Sequence, residues 1–266
     1  MSLEVLVSTM NQNNYNLLEQ MRINSEAVII NQNKSDTKDT LYFKNKKILW
    51  INSKSRGLSV SRNKAIQNST SEICVIADDD LEYVDSYQDI ILDCFEKNPE
   101  HDIITFQVEG IGKKFKEYHP TARKLNYFTT MKVSSVEIAF RSKSIKDAGV
   151  RFNETFGSGT KYLAGEEIIF LYDCLRKGLS IKYIPVKIAD LHLGNSSWFS
   201  GFNEEYFFAK GAIFTGMSKK HSILLIFQFA IRKHNLYSDL ISINKAIRYM
   251  FKGRREYLNT LYTQSE

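Results

Sequence analysis

The sequence predicts an α/β fold in which a mostly parallel sheet is covered by helices. Short apolar runs that end in polar residues alternate with amphipathic segments over about the first 110 residues, and this alternation is typical of parallel strands joined by crossover helices. The chain has 266 residues, of which 43% are hydrophobic and 25% charged. It is therefore long enough for a sizeable core and has the composition of an ordinary globular protein.

The elements follow from hydrophobic periodicity. Apolar runs predict strands at residues 3–9, 26–33, 47–52, 72–77 and 101–108. Helices are predicted between them at residues 15–21, 57–69 and 85–98, the second with Ser59 as a candidate cap. Further along, strands are predicted at 133–140 and 181–193, the latter interrupted at Pro185, and a glycine-punctuated loop at 151–167 leads into a helix at 165–177. From about residue 202 the chain is predicted to be helical and basic.

Charge and cysteine content restrict the partners and the compartment. The net charge of +6 fits a nucleotide, a nucleic acid or an anionic lipid. Nucleic acid is not expected, because outside the C-terminal helices the basic residues are not interleaved with aromatic ones. The three cysteines are far apart and form no CxxC pair, which predicts neither a zinc cluster nor a disulfide framework and indicates a reducing compartment.

Neither a signal peptide nor a membrane-spanning segment is expected from the sequence. The first residues, "MSLEVLVSTMNQ", lack a basic region and a long apolar region, so no signal peptide is expected. The longest apolar run, "ILLIF" at 223–227, is too short to span a bilayer.

Polar side chains stand where the predicted strands end. Asp78, Asp79 and Asp80 follow directly after the apolar residues 74–77, while Thr9 and Asn31 end two earlier strands. Three adjacent carboxylates repel one another and resist burial, so a cation would stabilise them. Ligands of such folds bind beyond the carboxyl ends of the strands. The pattern therefore predicts a ligand and cation site at this edge.

Three motifs stand in a fixed order along the chain. They are "RGLSVSRNKAI" at 56–66, "ADDD" at 77–80 and "GEEIIFLYDCLRKG" at 165–178. Together they resemble a family 2 glycosyltransferase with the GT-A fold, a Rossmann-like mixed sheet flanked by helices. That family has a Gly-x-Ser-x-Ala-Arg-Asn stretch, a strand ending in Asp-x-Asp, and a Gly-Glu-Asp stretch that opens a helix. The resemblance covers about residues 3–197.

The resemblance implies an inverting transfer of a hexose or an N-acetylhexosamine. The donor would be a nucleotide-diphosphate sugar, with UDP the expected nucleotide, and the acceptor a hydroxyl of a bacterial cell-surface glycan. A manganese or magnesium ion (Mn²⁺ or Mg²⁺) would neutralise the departing diphosphate, since both ions prefer oxygen ligands. Two alternatives stay open: a metal-dependent nucleotidyltransferase, although no Walker-type loop is present, and a non-catalytic nucleotide- or glycan-binding scaffold.

The acidic motif supplies the expected metal site. By resemblance Asp80 is the metal ligand, Asp78 approaches the ribose or the base, and Asp79 occupies the variable middle position. His192, which follows a predicted strand, is a candidate second metal ligand through its neutral imidazole. A packed or surface histidine is an equal alternative.

The donor pocket is expected to draw on three further residues. Arg62 matches the family arginine, with Ser61 in place of the alanine, and its guanidinium can pair with carboxylate or phosphate oxygens. Thr9 and Asn31 would line the nucleoside side. The family usually has an aspartate at the position of Asn31, so the base itself is not predicted.

The general base is expected at the start of the helix after Gly165. Glu167 matches the position of the family's aspartate, with a side chain longer by one methylene, and Glu166 is the alternative. A carboxylate there can take a proton from the acceptor hydroxyl. The simpler interpretation is that both glutamates merely favour the helix N-terminus.

The expected organisation is a GT-A domain over residues 1–200 with a C-terminal helical extension over 201–266 packed on it. Within the domain, about 1–110 would bind nucleotide and about 111–200 the acceptor. The basic amphipathic segments 219–234 and 245–258 suit either packing or a peripheral contact with an anionic membrane. We expect a cytoplasmic protein, with a position at the inner face of the membrane, a lipid-linked acceptor and a homo-oligomer left open.

Overall fold

The computed structural model describes residues 1–193 and 201–263, which contain ten strands and eight α-helices. The strands are β1 (Leu3–Met10), β2 (Glu26–Gln32), β3 (Thr37–Phe43), β4 (Lys46–Ser53), β5 (Ile73–Asp78), β6 (Leu81–Tyr83), β7 (Ile103–Gly110), β8 (Arg123–Lys124), β9 (Ile138–Arg141) and β10 (Ile181–Leu191). The helices are α1 (Leu17–Gln20), α2 (Leu58–Asn68), α3 (Tyr87–Glu96), α4 (Ser142–Ala148), α5 (Glu166–Arg176), α6 (Glu204–Met217), α7 (Ser222–Arg232) and α8 (Ile243–Thr263).

All ten strands belong to one mixed sheet. Its order is β3-β4-β2-β1-β5-β9-β7-β10-β6, and β8 pairs with β10. Strands β4, β2, β1 and β5 are parallel, whereas β9 runs antiparallel between β5 and β7. The register places Thr9 opposite Asn31, and Ser8 opposite Asp78. The carboxyl ends of three parallel strands therefore meet at one edge, as the sequence predicted.

Both faces of the sheet are buried. Along β1, Val5 and Val7 belong to one hydrophobic core, which also contains Phe95 of α3, and Leu6 belongs to a second core with Phe170 of α5. Strands buried on both sides have continuous apolar sequences, which is why their positions can be read from short apolar runs. Each fully buried aliphatic or aromatic side chain contributes about 1.5–3 kcal/mol.

The C-terminal helices α6, α7 and α8 form a third core together with α5 and the loop before it. Helices α6 and α8 cross at two glycines. A Cβ on Gly211 would lie 1.8 Å from the carbonyl oxygen of Met250, and one on Gly253 would lie 1.8 Å from that of Phe208. Only glycine permits backbones to approach this closely. None of the helices in the described ranges is both long and apolar enough to cross a bilayer.

The predicted α/β class is confirmed, but several local predictions are wrong. Ser59 does not cap α2: Gly57 precedes the helix, and the Ser59 hydroxyl donates to the carbonyl of Phe156 at 2.6 Å. Strand β10 is not interrupted at Pro185 but continues through it, with a shift in register between Tyr183 and Lys187, as expected of a bulge. Within the predicted strand at 133–140, residues Ser135–Glu137 form a 3₁₀ turn instead.

Candidate active site

The three adjacent aspartates have three different environments. Asp78 accepts from Arg62 at 2.8 Å, and Asp79 accepts from the Thr9 hydroxyl at 2.6 Å. Asp80 is exposed, and no other side chain in residues 1–193 or 201–263 hydrogen-bonds its carboxylate. Asp80 is therefore the member of the cluster with both carboxylate oxygens open to a ligand, whereas Asp79, also exposed, has one.

Arg62 is a buried bridge between the sheet edge and the start of α5. Its side chain is 2% exposed. Nη1 donates to Glu166 at 2.8 Å, while Nη2 donates to Asp78 at 2.8 Å and to the Ser135 hydroxyl at 2.9 Å. Burial disfavours the charged guanidinium, but Asp78 and Glu166 outweigh that effect and raise the pKa of Arg62 above its ordinary value. Arg62 thus binds two carboxylates through two different guanidinium nitrogens. This suits a residue that holds the side chains of the site in position.

Helix α5 begins at the glutamates because of Gly165. Gly165 has φ 92°, and a Cβ there would lie 2.8 Å from Ile213 of α6. The left-handed conformation and the close approach of α6 both require glycine. The turn directs Glu166 inward to Arg62, where it is buried.

Glu167 differs from Glu166 in its partners. It is half-buried, and no side chain of the described residues hydrogen-bonds its carboxylate. Burial and the neighbouring Glu166 raise the pKa of Glu167 to about 8, against the opposing effects of Arg62 and Lys210. A carboxylate with an open oxygen and a raised pKa is suited to accept a proton near neutral pH. The geometry supports Glu167 over Glu166 as the base, and that role stays a prediction.

The surroundings of Asp80 are negatively charged. Partial burial and repulsion from Asp78 and Asp79 raise its pKa to about 6, and His192 acts in the opposite direction. The backbone N–H of His192 donates to the Asp80 carbonyl at 2.9 Å. Its ring, however, lies 3.1 Å from the carboxylate of Glu82 and is 56% exposed. His192 is thus adjacent to Asp80, but its imidazole points to another partner.

The described residues do not supply a complete set of ligands for a metal ion. Across the two described ranges, no group of three His, Cys, Asp or Glu side chains is arranged to hold one. The exposed carboxylate of Asp80 nevertheless has the oxygen chemistry that Mn²⁺ and Mg²⁺ prefer. The excess of negative charge around it would also favour a cation.

Thr9 and Asn31 lie at the strand ends as predicted, but their polar groups are used within the chain. The buried amide of Asn31 donates to the carbonyl of Gln12 at 2.9 Å and to Asn52 at 2.8 Å. Gln12 also donates to the Thr9 hydroxyl at 3.0 Å. Both residues therefore hold the loop after β1, and direct contact with a nucleoside stays a prediction for them.

Several site residues were missed by sequence reasoning. Ser135 contacts Arg62 and Asp78 from a turn far along the chain. Lys210, on α6, interacts electrostatically with Glu167. Neither residue stands in a motif, so only the tertiary fold shows that they lie beside Arg62 and Glu167. The polar loop around Asn195 and Trp198, a candidate for closing over the donor, lies outside the described residues.

The comparison with protein families agrees with this geometry. A family model described as glycosyl transferase family 2 matches residues 4–152, which is more than half of the chain. The chain belongs to the family 2 glycosyl transferases. The matched range of this family 2 transferase contains Arg62 and the three aspartates, whereas Glu166 and Glu167 lie beyond it.

Solved structures support the fold of this family 2 transferase. Staphylococcus aureus TarS 1–349 in complex with UDP is similar with a TM-score of 0.64 and 13% identity, covering 100% of this chain and 92% of that one. The same TarS fragment in complex with UDP-GlcNAc is similar with a TM-score of 0.60 and 14% identity, covering 94% of this chain and 79% of that one. The predicted GT-A fold is confirmed. No curated protein sequence matches the chain.

Proposed function

We propose that this family 2 transferase moves a sugar from a UDP-sugar donor to a hydroxyl of a glycan with inversion at the anomeric carbon. The observation that carries the proposal is the Arg62 bridge between Asp78 and Glu166. It joins the end of β5, beside Asp80, to the start of α5, which carries Glu167, and this link supports a single site that contains both carboxylates. The TarS fragments bind UDP and UDP-GlcNAc, which favours UDP as the nucleotide and an N-acetylhexosamine as the sugar.

The proposed chemistry is a single displacement. The acceptor oxygen forms a bond to the anomeric carbon as the bond from that carbon to the diphosphate oxygen breaks. The electron pair leaves with UDP, and the Glu167 carboxylate takes the proton of the acceptor hydroxyl. Arg62 neutralises Asp78 and Glu166, so it keeps both strand end and helix start in place without itself reaching the sugar.

Asp80 is the residue that would hold a divalent cation, with His192 as a second candidate if its ring leaves Glu82. A divalent cation held there would supply charge neutralisation for the departing diphosphate. Asp78 is bound to Arg62 through both of its oxygens, and Asp79 is bound to the Thr9 hydroxyl through one of its two.

The biological setting is proposed from the family. We place the reaction in the synthesis of a bacterial cell-surface polysaccharide, in the cytoplasm, with a glycan acceptor that is lipid-linked. A homo-oligomer is compatible with the proposal but is not required by it. The acceptor half would be built from about residues 111–200.

Donor binding and turnover test the proposal separately. Calorimetry with UDP, GDP and dTDP, each with and without Mn²⁺, should show manganese-dependent binding of UDP by the unmodified protein. Asp80→Ala should lose that dependence, while Asp85→Ala, an exposed neighbour in the same region, should keep it. Release of UDP from UDP-GlcNAc should fall by about 10²-fold or more in Glu167→Gln, with UDP binding unchanged.

The outcomes separate three possibilities. If Glu167→Gln releases UDP as fast as Glu96→Gln, an exposed control on α3, Glu167 is not the base. Binding of UDP without any release, even with a range of acceptor glycans, would identify a nucleotide-binding scaffold. A folded protein that binds none of the three nucleotides would contradict the donor site itself.

A further inference from the structure

Helix α7 has two apolar faces, and only one of them is packed. Leu225, Ile226 and Ala230 are buried in the third core. On the outer side Ile223, Leu224, Phe227 and Ile231 are 44%, 68%, 42% and 66% exposed. At about 100° per residue these four side chains fall within an arc of about 100°. They form a continuous apolar strip, here called the outer face of α7.

Cations border this outer face on three sides. Lys219 and Lys220 precede α7, and Arg232 and Lys233 stand at its end. All four are exposed. A strip with positive charge at both ends differs from the scattered single apolar residues that are normal on protein surfaces.

The third side is formed by α8. The ring of Phe227 contacts Phe251 of α8 with centroids 5.8 Å apart. Arg248, Lys252 and Arg255 are exposed on α8, and their spacing of four and three residues places them on one side of that helix beside Phe251. The apolar strip and the basic stripe are therefore neighbours on one surface.

The stretch that contains α7 and the basic part of α8 is strongly positive. Residues 218–255 contain nine Lys and Arg but one acidic residue, Asp239, which gives a formal charge of +8. Since the chain as a whole carries +6, the remaining residues carry −2. The apolar strip of α7 thus lies within a strongly positive stretch of the chain.

We propose that the outer face of α7 docks on the surface of an anionic lipid bilayer. The apolar side chains would enter the interface while the surrounding cations contact lipid phosphates. Charge decides between this occupant and a second copy of the chain, because pairing two copies through this face would bring two regions of +8 together. The inference goes beyond the proposed transfer reaction and does not depend on it, although it would hold the enzyme beside a lipid-linked acceptor.

Vesicle sedimentation tests the proposal on the full chain. The protein should sediment with vesicles of phosphatidylcholine mixed with phosphatidylglycerol and bind vesicles of phosphatidylcholine alone much more weakly. The double variant Leu224→Ser/Ile231→Ser should bind the mixed vesicles at least about tenfold more weakly. Lys219→Ser/Lys220→Ser should bind about thirtyfold more weakly, with the loss reduced at high salt.

Controls keep the result interpretable. Phe128→Ser removes a side chain that is 73% exposed in a different part of the molecule, and it should sediment like the unmodified protein. Circular dichroism checks that each variant is folded, and light scattering measures its oligomeric state. Since the five substituted residues are exposed and none belongs to the candidate active site, UDP binding should be unchanged in every variant.

Three results would overturn the proposal. One is sedimentation that the α7 variants do not reduce. Another is the absence of binding to either kind of vesicle by a monomeric protein. The third is a dimer in solution that Leu224→Ser/Ile231→Ser converts to a monomer, which would assign the face to a second copy.

Discussion

Arg62 determines how negative charge is distributed over the candidate site. Five carboxylates converge there: Asp78, Asp79, Asp80, Glu166 and Glu167. Arg62 pairs with two of them, and a hydroxyl binds a third. The remaining negative charge is concentrated on Asp80 and Glu167, whose pKa values are raised to about 6 and about 8. One residue thus separates the acids that hold the structure together from the acids that remain available for chemistry.

The raised pKa of Glu167 predicts how activity depends on pH. A base must be deprotonated to accept a proton, and below about pH 8 the Glu166–Glu167 pair retains one. Release of UDP from UDP-GlcNAc should therefore fall as the pH decreases through about 8. The apparent pKa is measured from kcat/KM in the unmodified protein.

Lys210 provides the matched test of this assignment. The charged groups that act on Glu167 include Glu166 on its own helix, Arg62 from α2, Lys210 from α6 and Lys116 from the loop after β7. Removing the cation in Lys210→Met should raise the pKa of Glu167, because a nearby positive charge favours the carboxylate form. The decline in rate would then begin at higher pH. A rate that is flat between about pH 6 and 9, or a profile that Lys210→Met leaves in place, would contradict the assignment.

A site residue could be predicted from the sequence when it stands in a motif, but not when a distant part of the chain brings it to the site. Asp80 and Glu167 stand within motifs, so their positions followed from the sequence alone. Ser135 and Lys210 did not, because each reaches the site from an element with no motif of its own. The pairing of Arg62 with Glu166 joins residues 104 positions apart, and no local pattern records such a contact.

At the scale of elements, buried strands were predicted from the sequence and the exposed edge strand was not. Strands β1, β2, β4, β5 and β7 are apolar, and each was predicted within about three residues of its observed ends. Strand β3, "TKDTLYF", was missed because it is an exposed edge strand with polar residues. The sequence therefore predicts the buried parallel strands better than the exposed edge strand β3 or the short central strand β9.

The crossing of α6 and α8 yields a prediction about stability. In Gly211→Ala the new methyl group would meet a backbone carbonyl oxygen of Met250 at 1.8 Å. Rotation of a side chain cannot relieve a clash with backbone, so the helices must separate. We expect a loss of about 3 kcal/mol or more, and a lower melting temperature by circular dichroism.

Asn259→Ala is the control for this substitution. Asn259 is exposed on the same helix α8, and its replacement should change stability by no more than about 0.5 kcal/mol. Equal melting temperatures for the two variants would show that α6 and α8 are not packed backbone to backbone at Gly211.

At the scale of the whole molecule, the C-terminal helices share a hydrophobic core with α5 and the loop before it. Phe156 and Ile169 share the third core with Met250 of α8. Asn153 donates to the Tyr257 hydroxyl at 2.7 Å, in the loop that leads toward α5. The glutamates at the start of α5 therefore depend on α6 and α8 for their position.

This shared core predicts one cooperative unfolding transition for the chain. Scanning calorimetry should give a single peak whose calorimetric and van't Hoff enthalpies agree, and Gly211→Ala should shift that whole peak to lower temperature. The domain at 1–200 and the extension at 201–266 would then unfold together. If Gly211→Ala instead splits off an early transition and leaves the main peak in place, the helices are an independent unit. In that case the same variant should still bind UDP at temperatures between the two peaks, because the donor site would survive without its C-terminal support.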